Sequence, residues 1–379
     1  MYKKKPLSLY IHIPFCVKKC NYCAFNSVCA GEEEKNKYVD ALIHEIKNRG
    51  REFSGGREVQ SIYIGGGTPS VLKDGAISEI LSTVYKNFVV SRTAEITIEV
   101  NPSSLTPLKA KEYKNSGVTR VSMGLQAKQD HHLKTLGRLH TAENFETAVK
   151  VLKMVGFENI SGDLILGIPN QTEDEVSDSI TFMARLGLKH ISIYMLEIEE
   201  GTNFKKLLDA GLITFPNDSE VIKLYNRANR ELISHEYNRY EISNFSKVGF
   251  ESKHNQVYWD RGEYLGFGTG AHSYLNGYRF ANIASVSEYV NRINKNEIPL
   301  EYKDEITEEE KTEENIMLSL RTVKGLNLSS LNEETKRAKI PVIKDLIKDG
   351  YLVLNPITNY LSATDKGFMV LNRIIEMII

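Results

Sequence analysis

The chain has 379 residues, of which 41% are hydrophobic, 26% charged and 9% aromatic, and its formal net charge is −1. At about 100–200 residues per domain, this length predicts two or three domains, one of which can be a large α/β barrel. The near-neutral charge argues against a main ligand such as nucleic acid or anionic lipid, since both favour a basic excess. No apolar run reaches the ~18–20 residues of a membrane-spanning helix. The amino-terminal stretch Met1–Pro6, followed by His12 and Pro14, does not resemble a secretory signal, so we expect a cytoplasmic protein.

Short apolar segments alternate with longer helical patterns along the first two hundred residues. Six strand–helix units of this kind predict a parallel sheet with right-handed crossovers, and both a curved open barrel and a doubly wound sheet fit the pattern. Strands are predicted at residues 8–13, 60–64, 95–100, 118–123, 159–165 and 190–196. Helices are predicted at residues 34–49, 76–87, 106–115, 143–155 and 173–187.

The remaining third of the chain is predicted to extend the barrel and then to form a small second domain. A helix from about Glu220 to Glu236 is followed by an aromatic, glycine-rich stretch at 240–278 and by a polar, acidic stretch at 302–314, which reads as a linker. Helices at 308–320 and 341–349, followed by a hairpin, resemble a winged helix. Residues 301–379 carry 11 Lys and Arg against 14 Asp and Glu, which argues against nucleic-acid binding. The predicted domains are therefore 1–300, the barrel with its extension, and 301–379.

All four cysteines lie within the first thirty residues. A disulfide framework would spread over the chain in an oxidising compartment, whereas clustered thiols in an intracellular protein indicate a metal site. Cys16, Cys20 and Cys23 follow the first predicted strand. Tetrahedral zinc would need a fourth ligand, for which Cys29 is a candidate. A [4Fe–4S] cluster on three cysteines would instead leave one iron open to a small chelating molecule.

Further polar and glycine residues follow the other predicted strands. Gly65-Gly66-Gly67-Thr68-Pro69 comes directly after the second strand, where glycines let the backbone approach a ligand closely. Ligands of parallel sheets bind at the carboxyl ends of the strands, so the polar residues there are candidates as well. Glu99 and Asp163 could bind a ribose or an ammonium group, and Arg138 could pair with a carboxylate. Gln126 follows the fourth strand.

The CxxxCxxC motif, with the aromatic residue Tyr22 before its last cysteine, resembles the signature of the radical S-adenosylmethionine (SAM) superfamily. The resemblance implies a partial (β/α)6 barrel in which the amino and carboxylate groups of SAM chelate the open iron of the cluster. Tyr22 would lie against the adenine, and the glycine motif would meet the amino group of SAM.

Over nearly the whole chain the sequence resembles the HemN/HemW branch of this superfamily, which contains oxygen-independent coproporphyrinogen III dehydrogenase and heme chaperones. Matching stretches include 10–16, 168–172 and 240–245. The resemblance implies that Cys16, Cys20 and Cys23 hold the cluster and that Cys29 is a bystander. It also implies a SAM site lined by Tyr10, Tyr22, Gly66, Gly67, Thr68, Glu99, Gln126, Arg138 and Asp163.

Three features favour the chaperone side of this branch. The dehydrogenase has a further cysteine two residues after the third, where this chain has Phe25, and it has an amino-terminal extension, whereas nine residues precede Tyr10 here. The segment Lys253–Trp259 reproduces an HNxxYW motif associated with heme binding, and it contains the single tryptophan of the chain. His254 could bind heme iron, while Tyr258 and Trp259 could stack on a porphyrin. The alternative is a purely structural role, in which His254 and Trp259 only pack against the open side of the barrel.

We therefore expect a heme chaperone that binds a [4Fe–4S] cluster, SAM and heme and delivers heme to apo-hemoproteins, without coproporphyrinogen oxidase activity. Its expected partners are heme, the apo-hemoprotein acceptors and an electron donor such as flavodoxin or ferredoxin, with no nucleic acid. A homodimer and peripheral membrane association stay open. The alternatives are the dehydrogenase itself, a heme-modifying radical SAM methyltransferase, and a zinc-dependent interaction module.

Overall fold

The computed structural model describes residues 5–53 and 55–379, so the first four residues of the amino-terminal stretch considered above lie outside it. The strands in chain order are β1 (Leu7–Ile13), β2 (Glu58–Gly66), β3 (Val89–Val100), β4 (Arg120–Gln126), β5 (Asn159–Leu166), β6 (His190–Met195), β7 (Asn238–Arg239), β8 (Asn244–Ser246), β9 (Tyr264–Phe267), β10 (His272–Leu275), β11 (Tyr278–Asn282), β12 (Leu300–Glu305), β13 (Leu326–Asn327), β14 (Leu352–Asn355) and β15 (Tyr360–Ala363). The helices are α1 (Glu32–Phe53), α2 (Ala76–Asn87), α3 (Pro107–Asn115), α4 (Asp130–Thr135), α5 (Ala142–Met154), α6 (Glu173–Arg185), α7 (Asn203–Asp209), α8 (Asp218–Ser234), α9 (Lys253–Trp259), α10 (Val286–Asn294), α11 (Glu308–Ser319), α12 (Glu333–Lys348), α13 (Asp365–Phe368) and α14 (Leu371–Ile378).

Six parallel strands, β1 to β6, lie side by side in chain order, and each is followed by at least one helix. Strands of such a sheet are covered on both faces, so they read as nearly continuous apolar runs. β1 and β4 show this most clearly, since almost every residue in them is buried. The predicted α/β class with six strand–helix units is confirmed, and the in-order strand pairing is that of a (β/α)6 barrel rather than a doubly wound sheet.

The sheet continues beyond the six units at both edges. β9 pairs in parallel with β1, and β10, β11 and β12 extend that edge in antiparallel order, while β8 and β7 extend the edge at β6. The predicted linker is wrong at its start, because residues 300–305 form β12, paired with β11, whereas the helix predicted to follow it is confirmed as α11, which begins at Glu308. An exposed edge strand needs polar side chains on its outer positions, and this polarity is what resembled a linker.

The carboxyl-terminal residues have a hydrophobic cluster of their own, which begins at Ile316 and ends at Ile378. The predicted hairpin is formed by β14 and β15, and the short strand β13 pairs on the other side of β15. Helices α11 and α12 contact the strands of this small sheet, and α14 packs against both of these helices. The division of the chain at residue 300 stays a prediction, because β12 crosses it.

Candidate functional site

The three-cysteine motif lies on a loop that leaves the carboxyl end of β1 and returns to it. Its base is closed by two backbone hydrogen bonds, from Cys16 N to Val28 O at 3.0 Å and from Val28 N to Pro14 O at 2.7 Å. A turn within the motif brings Cys23 N to 3.2 Å from Cys20 O. All four cysteines are free thiols. The loop thus gathers the thiols of the motif at one end of the sheet without a disulfide.

Asn21, between the second and third cysteines, fixes the middle of this loop. Its backbone N donates to Leu136 O at 3.0 Å, and its side-chain Nδ2 donates to Thr135 O at 2.8 Å. Its carbonyl accepts from Phe204 N at 2.8 Å. These contacts attach the cysteine loop to the carboxyl end of α4 and to the start of α7, two short helices that periodicity did not predict.

The glycine motif after β2 is hydrogen-bonded onto the same loop. Gly67 N donates to Ile13 O and Thr68 N donates to Phe15 O, each at 2.8 Å, and Thr68 Oγ1 lies 3.5 Å from Cys16 Sγ. Gly66 has a φ of +109°, and a Cβ there would lie 2.3 Å from the imidazole of His12. These glycines therefore make room for neighbouring protein atoms, whereas the sequence suggested that they make room for a ligand.

A cavity of about 460 Å³ opens between these two loops and the ends of the parallel strands. Every residue predicted for the cluster and for SAM borders it except Tyr10, which lies beside Tyr63 and donates its hydroxyl toward His12 Nδ1 at 2.9 Å. The predicted residues on the cavity wall are Cys16, Cys20, Tyr22, Cys23, Gly66, Gly67, Thr68, Glu99, Gln126, Arg138 and Asp163. Positions spread over 150 residues of sequence thus meet around one cavity.

Two carboxyl groups in this cavity are held in an environment that favours their neutral form. Burial raises the pKa of Glu99 to about 7, although Tyr63 Oη donates to it at 2.7 Å and Gly66 N donates to it at 3.0 Å. Burial also raises the pKa of Asp163, against hydrogen bonds from Ser192 and Ser122 and the charge of Arg120. At neutral pH, Glu99 can therefore either donate or accept a hydrogen bond.

A positively charged side chain, that of Arg138, lies next to the cysteines. Arg138 Nη1 lies 3.7 Å from Cys20 Sγ, and its Nη2 donates to Gly124 O at 3.4 Å. Burial raises the pKa of the Cys16 and Cys23 thiols, so both are protonated until a metal displaces the protons. The fixed guanidinium can stabilise thiolates once they form and leaves donors free for an anionic group.

The predicted heme residues lie on α9, beside the cavity rather than on its wall. His254 is buried, and both ring nitrogens have partners: Nδ1 lies 2.9 Å from Ser61 Oγ, and Nε2 lies 2.9 Å from Tyr258 Oη. Its ring packs on Tyr63 with centroids 5.2 Å apart. Trp259 is half-buried, and its Nε1 has no hydrogen-bond partner among the described residues. In this conformation His254 would have to leave its partners to bind heme iron, whereas its neighbour Asn255 does border the cavity.

Sequence reasoning missed several residues of the cavity wall that come from strand interiors. Tyr63, Arg120, Ser122, Ser192 and Tyr194 all border the cavity. They occupy alternate positions of parallel strands, which point to one face of the sheet. A search for polar residues at such positions inside apolar strands would have found them. Arg120 is the one positively charged residue among these five. It is buried, and its Nε has no hydrogen-bond partner among the described residues.

Comparisons with known proteins agree with this geometry. Residues 10–183 match the family model "Radical SAM superfamily". The chain is 35% identical to the heme chaperone HemW of Bacillus subtilis, over 95% of this chain and 96% of that protein, and 31% identical to HemW of Escherichia coli, over 100% and 99%. The solved structure of coproporphyrinogen III oxidase (HemN) from Escherichia coli superposes with a TM-score of 0.86 over 100% of this chain and 91% of that one, at 22% identity.

The structural match at this low identity shows the fold, whereas the sequence matches extend over almost the full length of both chains. Identities above 30% across that length indicate common descent of the whole architecture, including the small carboxyl-terminal unit. The chain belongs to the HemW family, within the radical SAM superfamily.

Proposed function

We propose that this chain is a heme chaperone, which binds a [4Fe–4S] cluster, SAM and heme and passes heme to apo-hemoproteins. The observation that carries the proposal is the full-length similarity to curated HemW chaperones, together with a cavity bordered by three free cysteines.

The donor set suits an iron–sulfur cluster held at three corners. Cys16, Cys20 and Cys23 are soft thiol ligands on one pinned loop, with Arg138 next to Cys20. Cys29 is exposed and does not border the cavity. When bound, such a cluster supplies an electron and an open iron site for a chelating ligand. The surrounding residues fix the loop through the hydrogen bonds of Asn21, Gly67 and Thr68.

The rest of the cavity suits SAM. Arg138 lies beside the cysteines, where the carboxylate of a chelating SAM would lie, and can pair with that carboxylate. Glu99 and Asp163 lie farther along the same wall, where their oxygens can bind ribose hydroxyls. Because Glu99 titrates near neutral pH, a cationic ligand close to it would favour its ionised form.

Phe25 supports the chaperone over the dehydrogenase. It occupies the position two residues beyond Cys23, borders the cavity, and is 69% exposed. An exposed phenyl ring beside a cofactor cavity can pack on a flat apolar ligand such as a porphyrin.

The proposal includes an electron donor, which radical SAM proteins need, and a cytoplasmic location, which suits four free thiols. Dimerisation and membrane association form no part of it; no described helix is long and apolar enough to cross a membrane.

The experiment is heme transfer measured against porphyrinogen turnover. Anaerobically reconstituted protein is loaded with heme and mixed with an apo-hemoprotein, and the Soret band of the acceptor is followed. A parallel sample receives SAM, reductant and coproporphyrinogen III. We expect heme to move to the acceptor faster than from free solution, and no protoporphyrinogen IX to form.

The Cys20→Ala variant serves as the control, since it removes one cluster ligand. Conversion of coproporphyrinogen III to protoporphyrinogen IX by the wild-type protein would contradict the chaperone assignment and favour the dehydrogenase. Failure to bind heme would contradict the chaperone assignment as well, whatever the result with coproporphyrinogen III.

A further inference from the structure

We propose that His131, His132 and Glu175 form a second metal site, separate from the cysteine loop, which takes a divalent transition metal such as Zn²⁺. His131 and His132 lie at the start of α4, and Glu175 lies in the first turn of α6. One ligand atom from each of the three residues lies within 4.8 Å of the others.

The separations fit a coordination shell, although the shorter one also fits a hydrogen bond. Nε2 of His132 lies 3.1 Å from one oxygen of Glu175, and Nε2 of His131 lies 3.3 Å from the other oxygen. Ligand atoms 2.0–2.1 Å from a tetrahedral zinc are about 3.3 Å from one another. The second separation is longer than a normal N–H···O hydrogen bond. Both imidazoles therefore direct a nitrogen at one carboxylate, at separations that ligands of a single ion would have.

The site is preorganised on one side and open on the other. The Glu175 carboxylate accepts hydrogen bonds from Thr172 N at 2.9 Å and Thr172 Oγ1 at 3.0 Å, and the first of these belongs to the capping box of α6. The His132 side chain is 1% exposed, whereas that of His131 is 64% exposed. Two nitrogens and one carboxylate, with a position left for water, are the donors that zinc accepts in three-ligand sites. Ligand carboxylates are in turn commonly held by outer hydrogen bonds, as this one is.

The location links the ion to the cysteine loop. The carboxyl end of α4 provides the carbonyls of Thr135 and Leu136 that hold Asn21, between Cys20 and Cys23. A metal that ties the start of α4 to α6 would fix both ends of this six-residue helix. It would thereby stiffen the wall that supports the cluster loop, without entering the cavity.

The test uses cluster-loaded protein, so that the cysteines are already occupied. The protein is equilibrated anaerobically with ZnCl₂ and dialysed, and its zinc is counted by mass spectrometry. Zinc K-edge X-ray absorption then reports the neighbours of the ion: nitrogen and oxygen lie at about 2.0–2.1 Å and sulfur at about 2.3 Å. We expect one zinc per chain with a nitrogen and oxygen shell, and a higher melting temperature with zinc than without it.

Three variants separate the site from adventitious binding. His131→Ala removes an exposed ligand without disturbing the core and should weaken zinc affinity by more than about tenfold, since loss of an outer-shell partner alone has effects of that size. Glu175→Gln keeps the capping box and should act in the same direction. His235→Ala is the matched control, because His235 and Glu231 form a helical His–Glu pair at the same 3.3 Å with a single imidazole.

The proposal is overturned if wild-type protein retains no zinc, if His131→Ala retains as much as wild type, or if the zinc shell contains sulfur. Each of these results leaves the heme-chaperone proposal untouched, since the cluster and heme are measured independently of zinc.

Discussion

At the scale of single residues, burial in the cavity sets the protonation of Glu99. Its pKa in the folded protein is about 7, against 4.5 in a model compound, because it is buried. Between these two values the folded chain binds more protons than the unfolded chain, so the free energy of unfolding falls as pH rises through this window. A shift of this size corresponds to about 3 kcal/mol.

Glu99→Gln should remove that part of the pH dependence. We expect the wild-type free energy of unfolding to fall more steeply than that of the variant between pH 4.5 and 7, with a difference of about 3 kcal/mol accumulated across the window. Urea unfolding of cluster-free protein at several pH values measures it. Equal slopes in the two proteins would contradict the neutral form of Glu99.

Gly66 is required by the fold itself. A Cβ at this position meets His12 at 2.3 Å, and its φ of +109° strains any L-residue, so Gly66→Ala should destabilise the protein by more than strain alone. Gly75→Ala is the matched control, since Gly75 has a φ of +88° and no atom within 4 Å of the added Cβ. We expect about 1–3 kcal/mol for the control and a larger loss for Gly66→Ala in urea unfolding.

The close approach of position 66 to His12 limits what a Gly66 variant can show about SAM binding. Because an added side chain displaces His12, weaker SAM binding in such a variant would not separate a lost ligand contact from a displaced loop. Thr68→Val is the sharper variant, since it removes the hydroxyl next to Cys16 and keeps the side-chain volume.

At the scale of elements, the cysteine loop depends on α4 and α7, which contribute no ligand. Asn21→Ala removes the hydrogen bond from Nδ2 to Thr135 O at 2.8 Å, so the reconstituted cluster should be lost faster than from wild type. Asn203→Ala removes only the outer contact to Asn21 Oδ1 at 3.1 Å and should have a smaller effect. Decay of cluster absorbance in air measures both, and equal decay in wild type and Asn21→Ala would contradict the anchoring role.

On α9, the hydrogen bonds that hold the imidazole of His254 would compete with its binding to heme iron. His254 Nε2 is paired with Tyr258 Oη, and Nδ1 with Ser61 Oγ. If His254 is the heme ligand, Tyr258→Phe keeps an aromatic ring and frees Nε2, so heme affinity should rise, whereas His254→Ala should lower it. Heme titration followed by absorbance measures both. Identical heme binding by the two variants and wild type would move the heme site away from α9, and cluster absorbance should stay unchanged throughout.

At the scale of the whole molecule, the sequence predicts what local periodicity and motif spacing encode. The six strand–helix units follow from apolar runs such as Leu7–Ile13, and the cysteine loop follows from its position after the first of them. The edge strands do not follow, because β12 pairs with β11 through a polar pattern and its partner lies some twenty residues away. Arg120 was missed because its strand was read as an apolar run, without a search for polar residues on its cavity-facing positions.

The HNxxYW motif also could not predict that His254 is buried. An HNxxYW segment gives residue types and spacing, and its own Tyr258 is one partner of the imidazole, whereas the other partner, Ser61, comes from β2, far earlier in the chain. Long-range contacts of this kind depend on how α9 crosses the sheet. The motif therefore predicted the right neighbourhood of the cavity and left the state of its histidine to the structure.

The cluster should couple the cysteine loop to the stability of the whole chain. Burial favours the protonated form of Cys16 and Cys23, so without a cluster these thiols add little to the stability of the folded chain. A bound cluster would instead join three points of the loop through one rigid group. We expect cluster-loaded protein to melt at a higher temperature than cluster-free protein. Cys20→Ala should abolish both the cluster absorbance and this increase.

Cys29→Ala is the matched control for that measurement. Cys29 is exposed and its Sγ lies 3.5 Å from Val17 O, at the rim of the loop and away from the cavity wall. The variant should therefore keep the full cluster absorbance and the full increase in melting temperature. Loss of the cluster in Cys29→Ala would mean that four cysteines hold the cluster, one on each iron, and such a cluster would have no open iron for SAM.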